Sequence, residues 1–209
     1  MCISTQIRDQ VKALVSEDLE RALVMAREIP DPWFRCQALS FVALRTQELN
    51  ARRSLIADAF QAALLLRERN RVVSVSAWPL RVIAESNDAK WTELECKRLL
   101  EIMSKEPSPI RRADALEFLI GAAAYGPRYV FELVLSEFRN ACLTPLSGGR
   151  RNKRGQSQLY GALKVIAFVD PGMIDEYVAL IDGPELSVRA RSWAESMGSI
   201  RQNSFPPHF

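Results

Sequence analysis

Apolar residues recur along this chain at helical spacing in one segment after another. Leu19, Ala22, Leu23 and Ala26 form one stripe, and Ile56, Ala59, Phe60 and Ala63 form a second. Leu94, Leu99, Leu100 and Met103 make a third, and Phe131, Val134, Leu135 and Phe138 a fourth. Residues three and four apart share one side of a helix, whereas no segment sustains the strict alternation of a half-buried strand. The pattern predicts helices over 4–15, 16–29, 32–48, 51–69, 71–86, 90–106, 109–125, 127–143, 157–169, 172–182 and 185–197.

Proline places several of the boundaries. It lacks a backbone donor and turns its predecessor away from helix, so Ile29-Pro30 is expected to end one helix. Asp31 can then cap the next, with Pro32 at its first position. Ser108-Pro109 and Asp170-Pro171 repeat the device. Asp31 lies seven residues before Ala38 and Ser108 seven before Ala115, so capping and apolar pattern agree on the phase.

That phase belongs to an internal repeat. Ala38-Leu39-Ser40-Phe41-Val42-Ala43 is echoed by Pro79-Leu80-Arg81-Val82-Ile83-Ala84, Ala115-Leu116-Glu117-Phe118-Leu119-Ile120 and Ala162-Leu163-Lys164-Val165-Ile166-Ala167. The spacings are 41, 36 and 47 residues, and matching first-helix segments at Ala22, Ala63 and Leu99 precede the copies at Ala38, Pro79 and Ala115 by 16. Such echoes predict a stack of helix pairs, each burying its apolar flank against the next. The long third interval contains the polar run 144–157, read as a loop insertion. The expected organisation is a single unit over 1–198, followed by a flexible tail over 199–209.

Asp31-Pro32-Trp33-Phe34-Arg35-Cys36-Gln37-Ala38 resembles the centre of a HEAT repeat, and Ser108-Pro109-Ile110-Arg111-Arg112-Ala113-Asp114-Ala115 matches it in phase. Gly183-Pro184 through Arg189 is a looser echo, while Ser76 and Leu159 replace the arginine in the second and fourth units. The resemblance implies an all-α, right-handed α-α superhelix, a HEAT-like solenoid of about five helix pairs whose second helices line a concave face. It also implies that Arg35 and Arg112 bond across neighbouring units. Families built this way mostly bind proteins, and one HEAT-like group excises alkylated bases from DNA.

Composition narrows the chemistry. At 209 residues and 48% hydrophobic, the chain can bury a sizeable core without metal or disulfide. Cys2, Cys36, Cys96 and Cys142 are widely separated and the single histidine is His208, so no metal site and no cofactor is expected. Free thiols among apolar neighbours suit a reducing cytoplasm, and no apolar run reaches membrane-spanning length. The start of the chain lacks the basic and apolar regions of a secretory signal.

The candidate binding residues are cations. Arg150, Arg151, Lys153 and Arg154 crowd a glycine-flanked stretch read as a flexible loop, able to meet phosphates or an acidic protein surface. Arg81 and Lys164 share the third position of the signature, interrupted by Glu117, while Arg35 and Arg112 share an earlier phase. Trp33, Trp78, Trp91 and Trp193 are expected to fill space between layers, and Pro79 to kink its helix. No nucleophile elbow or phosphate loop is present, which leaves acid-base work to carboxylates such as Asp31, Glu117 or Asp170. These features point to a noncatalytic scaffold for a protein or peptide partner. The alternative is nucleic-acid binding through the basic stretch and the concave arginines, with base excision as a variant that needs a carboxylate and aromatics in one groove.

Overall fold

The computed structural model describes residues 3–146, 148–149, 152–182 and 184–197. Among them lie eleven α-helices and no strand: α1 (Ile3–Leu14), α2 (Leu19–Glu28), α3 (Pro32–Arg45), α4 (Leu49–Leu64), α5 (Arg69–Glu85), α6 (Ala89–Ser104), α7 (Pro109–Ala123), α8 (Arg128–Leu143), α9 (Lys153–Val169), α10 (Ile174–Ala179) and α11 (Pro184–Met197). A 3-10 turn, Pro171–Met173, leads into α10. The helices match the expected ones in number and order, and the tail over 199–209 lies outside the described residues.

The expected caps are in place. Asp31 accepts from the Trp33 N–H at 2.9 Å, and Ser108 from that of Arg111 at 3.3 Å, with Pro32 and Pro109 opening α3 and α7. Asp170 accepts from Gly172 at 2.8 Å ahead of the 3-10 turn. Each cap satisfies a donor that the first helical turn leaves free.

Among the described residues every helix touches only helices one or two places away along the chain. Consecutive members of the series α1, α3, α5, α7, α9 and α11 all meet, whereas in the even series only the backbones of α6 and α8 approach. Small side chains explain the difference. Ala38, Ala43, Ala77, Ala113, Ala115, Ala122 and Ala123 are fully buried in the odd helices and permit close approach, while bulkier Phe131, Phe138, Ile56 and Met103 fill the space under the even ones. The odd helices run parallel, since the start of α7 meets the start of α9 through Asp114 and Arg154, and Tyr125 and Phe168 meet at the far ends.

α5 continues past Pro79 without interruption, so the expected kink opens no break in the helix. Proline has no N–H to give the Val75 carbonyl four residues back. The Sγ of Cys36 on α3 lies 3.5 Å from that oxygen and donates to it. Burial pushes the Cys36 thiol pKa up, which keeps the proton that this contact needs. Burial likewise raises Cys96, to about 12, and Cys142.

Successive helix pairs are also tied by long polar side chains. Arg27 meets Asp58 at 3.7 Å, Arg53 meets Asp88 at 3.5 Å, Arg128 meets Asp170 at 2.6 Å and Arg139 meets Glu176 at 2.7 Å. Each pair is exposed enough to add little stability singly. The four tryptophans are half-buried against the core, as expected of space fillers.

Candidate functional site

The odd helices present one stripe each to the same side. On α3 the stripe is Phe34, Gln37 and Phe41; on α5 it is Trp78, Arg81 and Glu85. On α7 it is Asp114, Glu117 and Phe118, with Tyr125 just past the helix; on α9 it is Arg154, Gln158, Gly161 and Phe168. These positions follow the three-and-four spacing of one helix face.

Contacts join the stripes into a band. Arg8 on α1 donates to Gln37 at 2.9 Å and lies over the Phe34 ring, and Lys12 lies over Phe41 at 5.4 Å. Phe41 packs edge-on against Trp78, with ring centres 5.2 Å apart. Arg81 binds Glu85 at 2.7 Å and stacks 4.3 Å from the Tyr125 ring centre. Tyr125 in turn meets Phe168 at 5.7 Å. Phe118 and Phe168 expose 42% and 46% of their surface, so the band offers apolar area as well as charge.

At the other end of α7 and α9 lies a polar cluster. The Oδ1 of Asp114 accepts from Arg154 Nη2 at 3.2 Å and from the Gln158 amide. Glu117, one turn further, is half-buried, and burial raises its pKa, opposed by Arg154 and reinforced by Asp114. Glu117 Oε1 lies against Gly161, where a Cβ would stand 3.0 Å from that oxygen. The Oε1 of Gln158, a residue only 3% exposed, is buried with no hydrogen-bond partner.

Of the basic stretch, Lys153 and Arg154 are helical rather than part of a loop. α9 begins at Lys153, four residues earlier than expected, so Lys153 and Arg154 occupy its first turn. Asn152 makes this possible: it is buried, its Oδ1 accepts from Gly155 at 2.8 Å, and its Nδ2 donates to the Ala141 carbonyl at 3.3 Å. Arg150 and Arg151 lie outside the described residues.

The remaining expected residues are dispersed. Arg81 is engaged by Glu85 and Tyr125. Lys164 is exposed on α9. Arg112 reaches the Glu106 carbonyl of its own preceding loop at 3.5 Å, and no cross-unit bond of Arg35 is found among the described residues. Arginines that do pair with carboxylates across units include Arg27, Arg53, Arg128, Arg139 and Arg154, none at the position the repeat motif marks.

Sequence reasoning passed over Arg8, Lys12, Gln158 and Tyr125. The signal for Gln158 was its separation of 44 residues from Asp114, close to the third repeat interval. Among the described residues no group of three metal-ligating side chains forms, and no helix is long and apolar enough to cross a membrane. The chain matches no protein-family model, no curated protein and no solved structure.

Proposed function

We propose that this chain is a noncatalytic α-solenoid scaffold, a right-handed α-α superhelix of HEAT-like pairs, that holds a protein or peptide partner along the band on its odd helices. Two arguments support the curvature. Helices that touch only near neighbours make a rod, and a rod whose odd helices pack closely while the even ones splay bends toward the odd side. The band then lines the concave face.

The character of that band carries the reading. Two of the described cations expected to meet phosphates, Arg81 and Arg154, already face Glu85 and Asp114, and aromatic rings alternate with them from Phe34 to Phe168. A phosphate-binding surface needs uncompensated positive charge. Mixed aromatic and paired polar groups suit a polypeptide, whose side chains and backbone present both kinds of surface. Buried, unpaired Cys36, Cys96 and Cys142 agree with a reducing cytoplasm.

The test is selection from a random peptide library on the folded protein, followed by titration against wild type and Trp78→Ala. Peptides that bind wild type and lose about tenfold or more on Trp78→Ala support the reading. The same titration with single- and double-stranded DNA settles the rival: retention at low salt that falls steeply as salt rises, with no peptide selected, overturns it. Base release from alkylated duplex would overturn it as well.

A further inference from the structure

The aromatic end of the band lies where the chain leaves the described fold. α11 runs parallel to α9: the Asp182 N–H just ahead of α11 donates to Gln156 in the first turn of α9 at 2.7 Å, and Arg189 lies over the Tyr160 ring at 5.5 Å near the middle of both helices. Met197 and Phe168 each stand eight residues beyond that contact, so at equal rise per residue the two are level. The chain therefore departs from α11 on the side where Tyr125 and Phe168 meet.

The twelve residues 198–209 have the reach to cross the band from this corner. Packed helix axes stand about 8–10 Å apart, which puts α9, α7 and α5 about 10, 20 and 30 Å from α11. A polyproline-like segment advances about 3.1 Å per residue, carrying Phe205 about 25 Å and Phe209 about 37 Å from Met197. Phe205 thus reaches Tyr125 and Phe118 on the α7 side, and Phe209 reaches Trp78 on α5.

The chemistry of the segment fits this surface. Arg201 and His208 are its only side chains able to carry charge, and Ile200, Phe205 and Phe209 are its large apolar ones. The band pairs Arg81 with Glu85 and exposes Phe118 and Phe168 in the stretch around Tyr125, so apolar rings rather than charges are on offer there. Pro206-Pro207 lacks backbone donors and favours an extended conformation that costs little entropy to dock. Proline-rich segments enter aromatic-lined grooves in that form. Attachment to α11 then holds the segment at an effective concentration of about millimolar beside the band.

Resting on the reading of the band as a polypeptide-binding surface, we propose that residues 198–209 occupy it in the same molecule, with Phe205 against Tyr125 and Phe168 and Phe209 against Trp78. The segment stands where an outside peptide would lie. A partner must displace it, and the chain therefore binds only sequences that outcompete its own.

The experiment compares 15N spectra of the full chain with those of Phe205→Ser/Phe209→Ser and of Phe168→Ser, whose side chain is nearly half exposed. Expected in the wild type are heteronuclear NOE values at the Ser204, Phe205 and Phe209 amides close to those of the helices, unchanged on dilution. Both variants are expected to bring them down to free-chain values and to shift the Trp78 indole resonance, with the fold intact by circular dichroism. A synthetic peptide copying residues 199–209 is expected to bind the Phe205→Ser/Phe209→Ser chain about tenfold or more tightly than the wild type, where the attached segment competes.

Free-chain values in the wild type, equal peptide affinity for the two chains, or order that grows with protein concentration, as docking on a second copy would give, overturns the proposal. The peptide selection separates the two readings. Selected peptides that need Trp78 but bind wild type and Phe205→Ser/Phe209→Ser equally, with residues 204–209 free, overturn the docking and leave the scaffold standing. An ordered segment released by Phe168→Ser, with no peptide selected by either chain, upholds the docking and removes the scaffold reading.

Discussion

Two glycines on α9 carry the same substitution to opposite ends. In a helix interior, glycine to alanine gains about 1 kcal/mol from backbone entropy alone. At Gly155 the new Cβ would land 2.2 Å from the Cys142 carbonyl oxygen and 2.8 Å from both the carbonyl carbon and Asn152 Nδ2. Ordinary contact needs about 1 Å more, and the obstacle is backbone. The first turn of α9 must therefore retreat from the end of α8. That retreat pulls Asn152 off Gly155 and Ala141, a cap worth about 1 kcal/mol, and adds an overpacking strain of about 1–3 kcal/mol. With the buried amide left short of partners, the net loss is about 2–4 kcal/mol after the entropy gain. At Gly161 the new methyl meets only the end of the flexible Glu117 side chain, which can turn aside, so most of the gain of about 1 kcal/mol survives. Urea unfolding followed by circular dichroism reads both. At a slope of about 2 kcal/mol per molar, Gly155→Ala should lower the midpoint by about 1–2 M and Gly161→Ala should raise it by up to about 0.5 M, with unchanged slopes. If both midpoints move the same way, or Gly155→Ala is the more stable protein, the close approach of α8 and α9 described above is wrong.

Two further outcomes follow from the buried polar groups. Cys36→Ala strips the donor from the Val75 carbonyl and should cost about 1–3 kcal/mol. Pro79→Ala restores a backbone N–H for that oxygen, so in its background the cysteine replacement should cost about 0.5–1 kcal/mol less; equal costs in the two backgrounds would show that the thiol does not serve the carbonyl. Glu117 titrates above the ordinary 4.5 when folded, so the folded state binds more protons than the unfolded chain between 4.5 and that raised value. Stability from this group is therefore full below 4.5 and falls as pH rises through the window. Glu117→Gln should match wild type in urea midpoint, apart from a constant offset, at pH 4 and gain on it by pH 7.5; a difference that does not grow with pH refutes the burial of this carboxylate.

The helices were legible in the sequence because what makes a helix acts within about four residues. Asp31-Pro32 and Ser108-Pro109 start α3 and α7 by satisfying donors one turn away, and the apolar spacing reports which side will be buried. The repeat of Ala-Leu signatures likewise announced that units stack, since small buried residues recur where backbones must come close. The start of α9 escaped, because it depends on Asn152 reaching the Ala141 carbonyl across a turn whose path the local sequence does not specify.

The fate of the cations belonged to tertiary structure alone. Arg81 and Arg154 read as free basic positions beside Lys164, yet Arg81 stacks on Tyr125, 44 residues away, and Arg154 pairs with Asp114, 40 residues away. Glu117, which reads as an interruption in a ladder of cations, is half-buried with its carboxylate against Gly161 of the neighbouring helix. Charge is a property of a residue, but whether that charge is spent or available depends on how two helices lie side by side. That register comes from packing the alanine-rich flanks, and so the pattern along the chain determined a series of helices while their lateral fit decided which charged groups are paired.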